Sequence, residues 1–339
     1  MSRGVEWAGG GRPGGNGPPR VVTLTLNPAV DLCWEMGHLS AVGKNRARVR
    51  ARTAGGGGIN VARGVTRLGG LATAVHTAGR ETGELLDRLL DEEGIDHVSV
   101  PIEGETREGL VLYETDMRRC FHVVPRGPRT EADEGLRCLA ALRRAVGDSS
   151  YVVASGSLPP GLPADFYATV ARQVSESGAR LILDTSGHAL RGALAEGVHL
   201  LRCNQHEAAS LAGRPVRTFH DARLLNARLL DTGAAHVVVT ALGPLGALCS
   251  TGTEHTEVHA PPLPGDLLSD AGAGDSMVAA LALRLAAGDD VATACTLAVA
   301  VAAASVLTAG TDPFDPAVAA SILPDVTTRP EGSERRTAS

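Results

Sequence analysis

Short apolar runs alternate with amphipathic stretches along most of the chain. Residues 21–27 (VVTLTLN) form the first run and end in Asn27-Pro28, which predicts a buried strand followed by a turn. Comparable runs at 72–78, 150–155, 180–184, 198–202 and 236–241 predict further strands. Helical periodicity lies between or after them, near 59–69, 81–93, 131–147, 163–177, 205–212 and 219–232. In the stretch 163–177, Phe166, Val170 and Val174 fall on one stripe. Strands alternating with helices predict an α/β domain with a mainly parallel central sheet covered on both faces.

Two stretches break this rhythm. Residues 44–52 repeat every second position, so a strand there puts Lys44, Arg46, Arg48, Arg50 and Arg52 on one face. A solvated strand face is the plain reading of that row. Residues 97–102, 109–115 and 120–124 read as short strands without helices between them. Together these segments predict a small β lid built from about 32–53 and 97–125. Residues 1–20 and 326–339 read as disordered tails flanking a domain at 21–325. The Ala/Val run at 291–307 reads as a buried helix rather than a membrane span.

Composition narrows the chemistry. The net charge of −6 argues against a nucleic acid or an anionic membrane as the main partner. Six cysteines lack metal-ligand or redox-pair spacing, as expected of reduced thiols in a cytoplasmic protein. Of 32 cationic residues only Lys44 is a lysine. A Walker A loop is excluded, because Asn45 follows Lys44 and His38 holds the upstream glycine position. Schiff-base chemistry would have to use Lys44.

Four segments carry candidate chemistry. The first is Ser269-Asp270-Ala271-Gly272-Ala273-Gly274-Asp275-Ser276, which leads into an apolar helical run. Glycines at a loop-to-helix junction let backbone N–H groups converge on an anion, and Asp275 falls in the first helical turn. A carboxylate beside an anion hole suits phosphoryl transfer to an alcohol; a helix cap is the simpler alternative. The second is Gly55-Gly56-Gly57-Gly58-Ile59-Asn60, too far past the first strand for a dinucleotide loop. Its glycines would let a sugar approach the backbone, with Asn60 bonding hydroxyls. The third places Asp31 just beyond the first strand, where ligands of open sheets bind. The fourth is Asn204-Gln205-His206-Glu207, whose Asn and Glu share a helical face and could hold water on Mg²⁺.

In this order the four segments resemble the ribokinase-like (PfkB) family of sugar kinases. The likeness extends to Ser155-Gly156-Ser157-Leu158-Pro159-Pro160-Gly161, to Asp184-Thr185-Ser186-Gly187 and to Leu242-Gly243-Pro244-Leu245-Gly246-Ala247. It covers about residues 21–325 and is nearest to the phosphofructokinase branch of the hexose-phosphate kinases. The resemblance implies a three-layer α/β/α domain with a β lid through which two subunits form a homodimer. It implies Asp275 as catalytic base, with Gly272, Ala273 and Gly274 as the anion hole. Asp31, Gly56, Gly57, Asn60 and Ser157 would bind the sugar. Lys44, Arg46 and Arg107 match positions approaching the substrate's phosphate, some of them from the partner's lid. Arg202, Asn204, His206, Glu207, Ala241, Gly243 and Gly246 match the Mg·ATP motif and nucleotide loop. Glu207 would hold Mg²⁺ through water, and K⁺ would lie near Ser269, Ala271, Ser305 and Gly310.

The expected reaction is ATP-dependent phosphorylation of fructose 6-phosphate to the 1,6-bisphosphate. Fructose 1-phosphate and tagatose 6-phosphate are the alternative acceptors, and a non-catalytic sugar-phosphate sensor is the alternative class. Family members acting on fructose 1-phosphate usually carry a lysine in the glycine run, where this chain has Gly57. Independently, a phosphate near −2 calls for more than one nearby cation, which Lys44, Arg46 and Arg107 could supply. Four positions depart from the family pattern: Arg202 and His206 replace lysines, Ala241 replaces Ser or Thr, and Asp270 replaces Thr. Arg202 reads as part of the chain-wide use of arginine.

Overall fold

A computed structural model describes residues 18–252, 254–263, 271–308 and 313–330. Its first elements are β1 (Arg20–Thr25), β2 (Ala29–Met36), β3 (Arg48–Gly55), α1 (Gly57–Arg67), β4 (Leu71–Ala78), α2 (Arg80–Glu92) and β5 (Asp96–Pro101). Next come β6 (Arg107–Glu114), β7 (Arg119–Val123), α3 (Ala132–Val146), β8 (Tyr151–Ser155), α4 (Phe166–Glu176), β9 (Arg180–Asp184) and α5 (Gly187–Glu196). Then follow β10 (Val198–Cys203), α6 (Gln205–Ala212), α7 (Phe219–Asp231), β11 (Ala235–Ala241), β12 (Gly246–Thr251) and β13 (Glu254–His259). The last are α8 (Ala273–Ala286), α9 (Val291–Val306), α10 (Pro316–Ile322) and β14 (Thr327–Pro330).

The main sheet has ten strands in the order β14-β13-β12-β11-β10-β9-β8-β1-β4-β5. From β11 to β5 all neighbours are parallel, while β12, β13 and β14 add on antiparallel. Strand periodicity sorts the side chains. On β8, Tyr151 and Val153 enter one core, while Val152 and Ala154 enter the other. Helices α1, α2, α8, α9 and α10 cover the first face, and α3 to α7 cover the second. Helices α8 and α9 are buried nearly all round, which explains their Ala-rich composition. No helix among the described residues is long and apolar enough to cross a membrane.

From β1 the main sheet grows through β4 to β5, then resumes on the other side of β1 with β8. Growth therefore reverses beside β1, and in open α/β sheets the crevice beyond the strand ends at such a point takes the ligand. A second sheet, ordered β3-β2-β6-β7, forms the projecting lid. The strands expected at 109–115 and 120–124 are β6 and β7.

Three expectations need correction. The segment 97–102 does not belong to the lid; it forms β5, paired parallel to β4 at the main sheet's edge. The α2 crossover delivers it there as a βαβ unit. The row 44–52 is not one strand, because β3 begins at Arg48. Asn45 closes a loop instead, accepting from Ser40 N at 2.9 Å and donating to Ser40 O at 2.8 Å. Lys44 and Arg46 thus share no strand face with Arg48, Arg50 and Arg52. Finally, residues 327–330, expected in the tail, pair with β13 as β14.

Helices α1 and α8 meet at a methyl-sized gap. A Cβ on Gly64 would lie 2.6 Å from the Cβ of Ala279, inside van der Waals contact. We expect Gly64→Ala to force these helices apart. Overpacking costs about 1–3 kcal/mol, partly offset by the better helix propensity of alanine, about 1 kcal/mol. Turnover should fall more than stability, and the swap Gly64→Ala/Ala279→Gly should restore it. Thermal melts and initial rates on the three chains check this.

Candidate active site

The reversal point beside β1 collects side chains from the ends of successive parallel strands. Ser155 ends β8, Asp184 ends β9, and Arg202 lies one residue before the end of β10. The glycine run brings α1 down onto them. A side chain at Gly57 would overlap Ser155 Oγ, and one at Gly58 would stand 2.6 Å from Leu24 O. Gly56 has φ +117° and faces Thr25 and Pro28, so only glycine suits that turn. Asn60 in the first turn of α1 then reaches the first turn of α8.

There Asn60 Nδ2 donates to Asp275 Oδ2 at 2.9 Å, and Ser155 Oγ donates to Asp275 Oδ1 at 3.5 Å. Asn60 Oδ1 is buried without a partner. Burial pushes the Asp275 carboxyl up to about 7, and the charge of Asp184 adds to the rise. Asn60, Arg202 and Ser155 oppose it. Helix α8 starts at Gly272, whose φ of +75° demands glycine. The N–H groups of Ala273, Gly274 and Asp275 lie in the turn where an α-helix supplies no partner. A Cβ on Gly274 would come within 2.7 Å of Arg202 Nη1, so the missing side chain lets the guanidinium lie against the helix start.

Arg202 is buried, with Nη1 3.4 Å from both carboxylate oxygens of Asp184 and Nε without a partner. The motif match puts Arg202 with the nucleotide, but reading its arginine as chain-wide usage overlooked this position between Asp184 and the start of α8. Ser155 and Asp184 were likewise quoted in matching segments without a role. Their shared signal was their place at the ends of β8 and β9.

Asn204 and Glu207 cap α6 reciprocally. Glu207 N donates to Asn204 Oδ1 at 2.9 Å, and Asn204 N donates to Glu207 Oε2 at 2.8 Å. Burial raises the Glu207 pKa, and Asp184 raises it further. His206 is exposed in the same turn. Buried Ala241 ends β11, and the loop after it turns through Gly243 (φ +60°) and Gly246 (φ +109°). A Cβ on Gly243 would lie 3.6 Å from Gln205 Oε1, which places this loop beside α6.

On the lid side, Asp31 sits on β2 between Gly55 of β3 and Gly109 of β6. A Cβ at either glycine would run into its carboxylate. Burial raises the Asp31 pKa, opposed by Arg107, His122 and Arg63. Arg107 donates to the carbonyls of Pro125 at 2.7 Å, Asn27 at 2.8 Å and Pro28 at 3.4 Å. It therefore ties the lid to the turn after β1, leaving only part of its fork open. Exposed Ser157 accepts from Asn27 Nδ2 at 3.1 Å.

Lys44 and Arg46 are exposed and not gathered here. Arg48 pairs with Glu35 while Thr53 pairs with Asp31, so the two cations lie beyond the far end of β3. Four β2 residues, roughly 13 Å, separate that end from Asp31. Ala271 directly precedes Gly272, and Ser305 is buried on α9 with its carbonyl accepting from Thr308 N at 2.9 Å. Ser269, Asp270 and Gly310 lie outside the described residues.

A carboxylate at a helix start, a second capped helix start beside it and an α/β sheet with a β lid define a phosphotransferase of the sugar-kinase type. The family model described as pfkB family carbohydrate kinase matches residues 25–317, and the chain belongs to that family. It is 39% identical over 295 residues to the ATP-dependent 6-phosphofructokinase isozyme 2 of Mycobacterium tuberculosis, covering 87% of this chain and 86% of that one. It is 32% identical over 259 residues to the 1-phosphofructokinase of Bacillus subtilis, covering 76% and 83%. Phosphofructokinase-2 from Escherichia coli in complex with potassium superposes with a TM-score of 0.83 at 33% identity, covering 91% of this chain and 99% of that one. Its complex with fructose-6-phosphate gives 0.82 at 32% identity, with the same coverage.

The raised Asp275 pKa sets a stability test. The folded chain holds that proton up to about 7, the unfolded chain only to near 3.8. Folding stability therefore falls as pH rises through that window. Asp275→Asn removes the penalty. Its melting temperature should exceed the parent's by a few degrees at pH 8 and converge with it near pH 4, as read by thermal melts across pH.

Proposed function

We propose that the chain transfers the γ-phosphoryl of ATP to the C1 hydroxyl of fructose 6-phosphate. The observation that carries this reading is the Asp275 carboxylate, held by Asn60 and Ser155 at the start of α8. In the proposed step Asp275 accepts the hydroxyl proton as the phosphoryl group arrives in line. The N–H groups of Ala273 and Gly274, with Arg202 behind them, then stabilise the phosphoryl oxygens. A carboxyl titrating near 7 suits a base working at neutral pH. Asp31 and the unpartnered Asn60 Oδ1 are acceptors for the sugar's other hydroxyls.

Asp184 and Glu207 offer hard oxygen donors beside the helix start, a set that fits Mg²⁺ with the nucleotide. Held by those carboxylates, Mg²⁺ would supply positive charge to offset that of the nucleotide phosphates. The loop 241–246 beside α6 would take the base and ribose. The neighbourhood of Ala271 and Ser305 is where the family resemblance would put K⁺, and the phosphofructokinase-2 from Escherichia coli is a neighbour solved in complex with potassium.

Fructose 6-phosphate is favoured over fructose 1-phosphate by the crowding at Gly57. A lysine there would have to displace Ser155, which touches Asp275. We expect kcat/KM on fructose 6-phosphate to exceed those on fructose 1-phosphate and tagatose 6-phosphate by at least about tenfold. Asp275→Asn should lower kcat about 10²–10⁴-fold. A preference for another acceptor overturns the substrate assignment, and near-normal turnover of Asp275→Asn removes the base.

Lys44 and Arg46 stand too far along the lid to serve Asp31 of their own chain, so they are assigned to a partner's site. Trp34, Leu39, Val49 and Leu110 line an open apolar concavity on the lid, suited to that partner's lid. Mixing two weak variants, Lys44→Ala and Asp275→Asn, tests this. A hybrid dimer keeps one site with Asp275 from one chain and Lys44 from the other. Activity should rise on mixing well above the sum of the separate preparations. Strict additivity would place Lys44 elsewhere.

A further inference from the structure

Away from the kinase site, three ligand-type atoms converge inside one βαβ unit. His76 on β4, Asp87 on α2 and His97 on β5 each direct one such atom to a point where all three lie within 4.8 Å of one another. The sheet register pairs Ala74 with His97 and His76 with Ser99, so both rings rise from the same face. They stack with centroids 5.2 Å apart.

The proton positions follow from the outer contacts. His76 Nδ1 lies 3.1 Å from the carbonyl of Thr77, which can only accept, so Nδ1 carries the proton and Nε2 a lone pair. His97 Nε2 lies 3.2 Å from Asp91 Oδ1, also an acceptor, so Nε2 donates and Nδ1 presents its lone pair. These two lone pairs face each other across 3.1 Å. Asp87 Oδ1 stands 3.6 Å from His76 Nε2 and is buried without a hydrogen-bond partner. Three acceptors therefore surround one point with no donor among them. A second proton on His97 would satisfy the ring pair but leave Asp87 Oδ1 orphaned. A cation satisfies all three.

We propose that His76, Asp87 and His97 form a binding site for a divalent transition metal of the zinc class. Two nitrogens and one carboxylate oxygen are a common zinc donor set, whereas Mg²⁺ prefers oxygen and keeps its waters. Ligands about 2.0–2.1 Å from a tetrahedral ion stand about 3.3 Å apart, and the observed 3.1 and 3.6 Å bracket that edge. The Thr77 carbonyl and the Asp91 carboxylate hold the outward ring N–H groups, as the supports of metal-bound histidines do. His76 is fully buried, but the side chains of His97 and Asp87 keep 14% and 32% of their exposure. An ion can enter past them, and a water would complete four ligands. Occupied, the site would staple edge strand β5 to β4 and α2.

The test uses the full chain, stripped with chelator and free of nucleotide. Equilibrium dialysis against Zn²⁺ with elemental analysis should find one zinc per chain at this site. Co²⁺ substitution should give the visible bands of tetrahedral coordination, and zinc should raise the melting temperature. Asp87→Asn and His97→Gln should abolish this uptake and the thermal shift while leaving Mg·ATP-dependent turnover intact. Asp91→Asn, at a 74% exposed side chain, should fold normally and weaken zinc about 10–100-fold. The proposal is overturned if the parent chain takes up no zinc, or if these variants bind it as the parent does.

Discussion

The geometry of the candidate active site depends on how closely α1 can approach α8. Asn60 and Gly64 are one helical turn apart, as are Asp275 and Ala279, so each pair shares a face. The Gly64–Ala279 contact lies one turn below the hydrogen bond between Asn60 and Asp275. With no side chain on 64, the helices close until the Asn60 amide spans to the carboxylate at 2.9 Å. The glycines at 57 and 58 act at the other end, letting α1 press onto Ser155 and the end of β1. Asn60 is thereby fixed between two close approaches, and Asp275 is fixed through Asn60.

That closure creates an electrostatic strain the fold compensates only in part. Asp184, Glu207 and Asp275 crowd one crevice, and the carboxyls of Asp275 and Glu207 are both raised by burial and by Asp184. Arg202 is the buried cation among them, yet it meets Asp184 only at 3.4 Å and leaves Nε unpaired. A tighter bidentate pair would stabilise the empty crevice and leave less of the guanidinium for an incoming anion. The α8 start adds partial positive charge at the same place. This arrangement of unsatisfied charges favours a ligand that brings phosphate oxygens together with a divalent cation.

Much of the fold was legible because the strands bury both faces. Val152, Val153 and Ala154 are apolar whichever way they point, and such runs mark parallel strands without reference to partners. The lid was harder. Its strands are half solvated, and the alternation of residues 44–52 continues past the place where Asn45 turns the chain back on Ser40. The edge strand β5 read like a lid strand because its burial is as patchy as theirs. At the site, Asp275 and Asn60 lay in glycine-rich junctions that announce themselves. Ser155 and Asp184 did not, because only the sheet order brings the ends of β8 and β9 beside β1.

The segment Asn204–Glu207 shows why one pattern can carry two meanings. As a sequence it reads as a nucleotide motif, and in the structure its atoms also form a helix cap. The two uses are compatible because a carboxylate has more lone pairs than a cap consumes. One oxygen of Glu207 accepts from Asn204 N, which stops the side chain from rotating. With that rotation stopped, the same carboxyl is held close enough to Asp184 for its pKa to be raised by that charge. The cap therefore does for Glu207 what Asn60 does for Asp275. A local backbone bond holds a carboxylate where repulsion from its neighbours would otherwise turn it away, and it does so before any ligand binds.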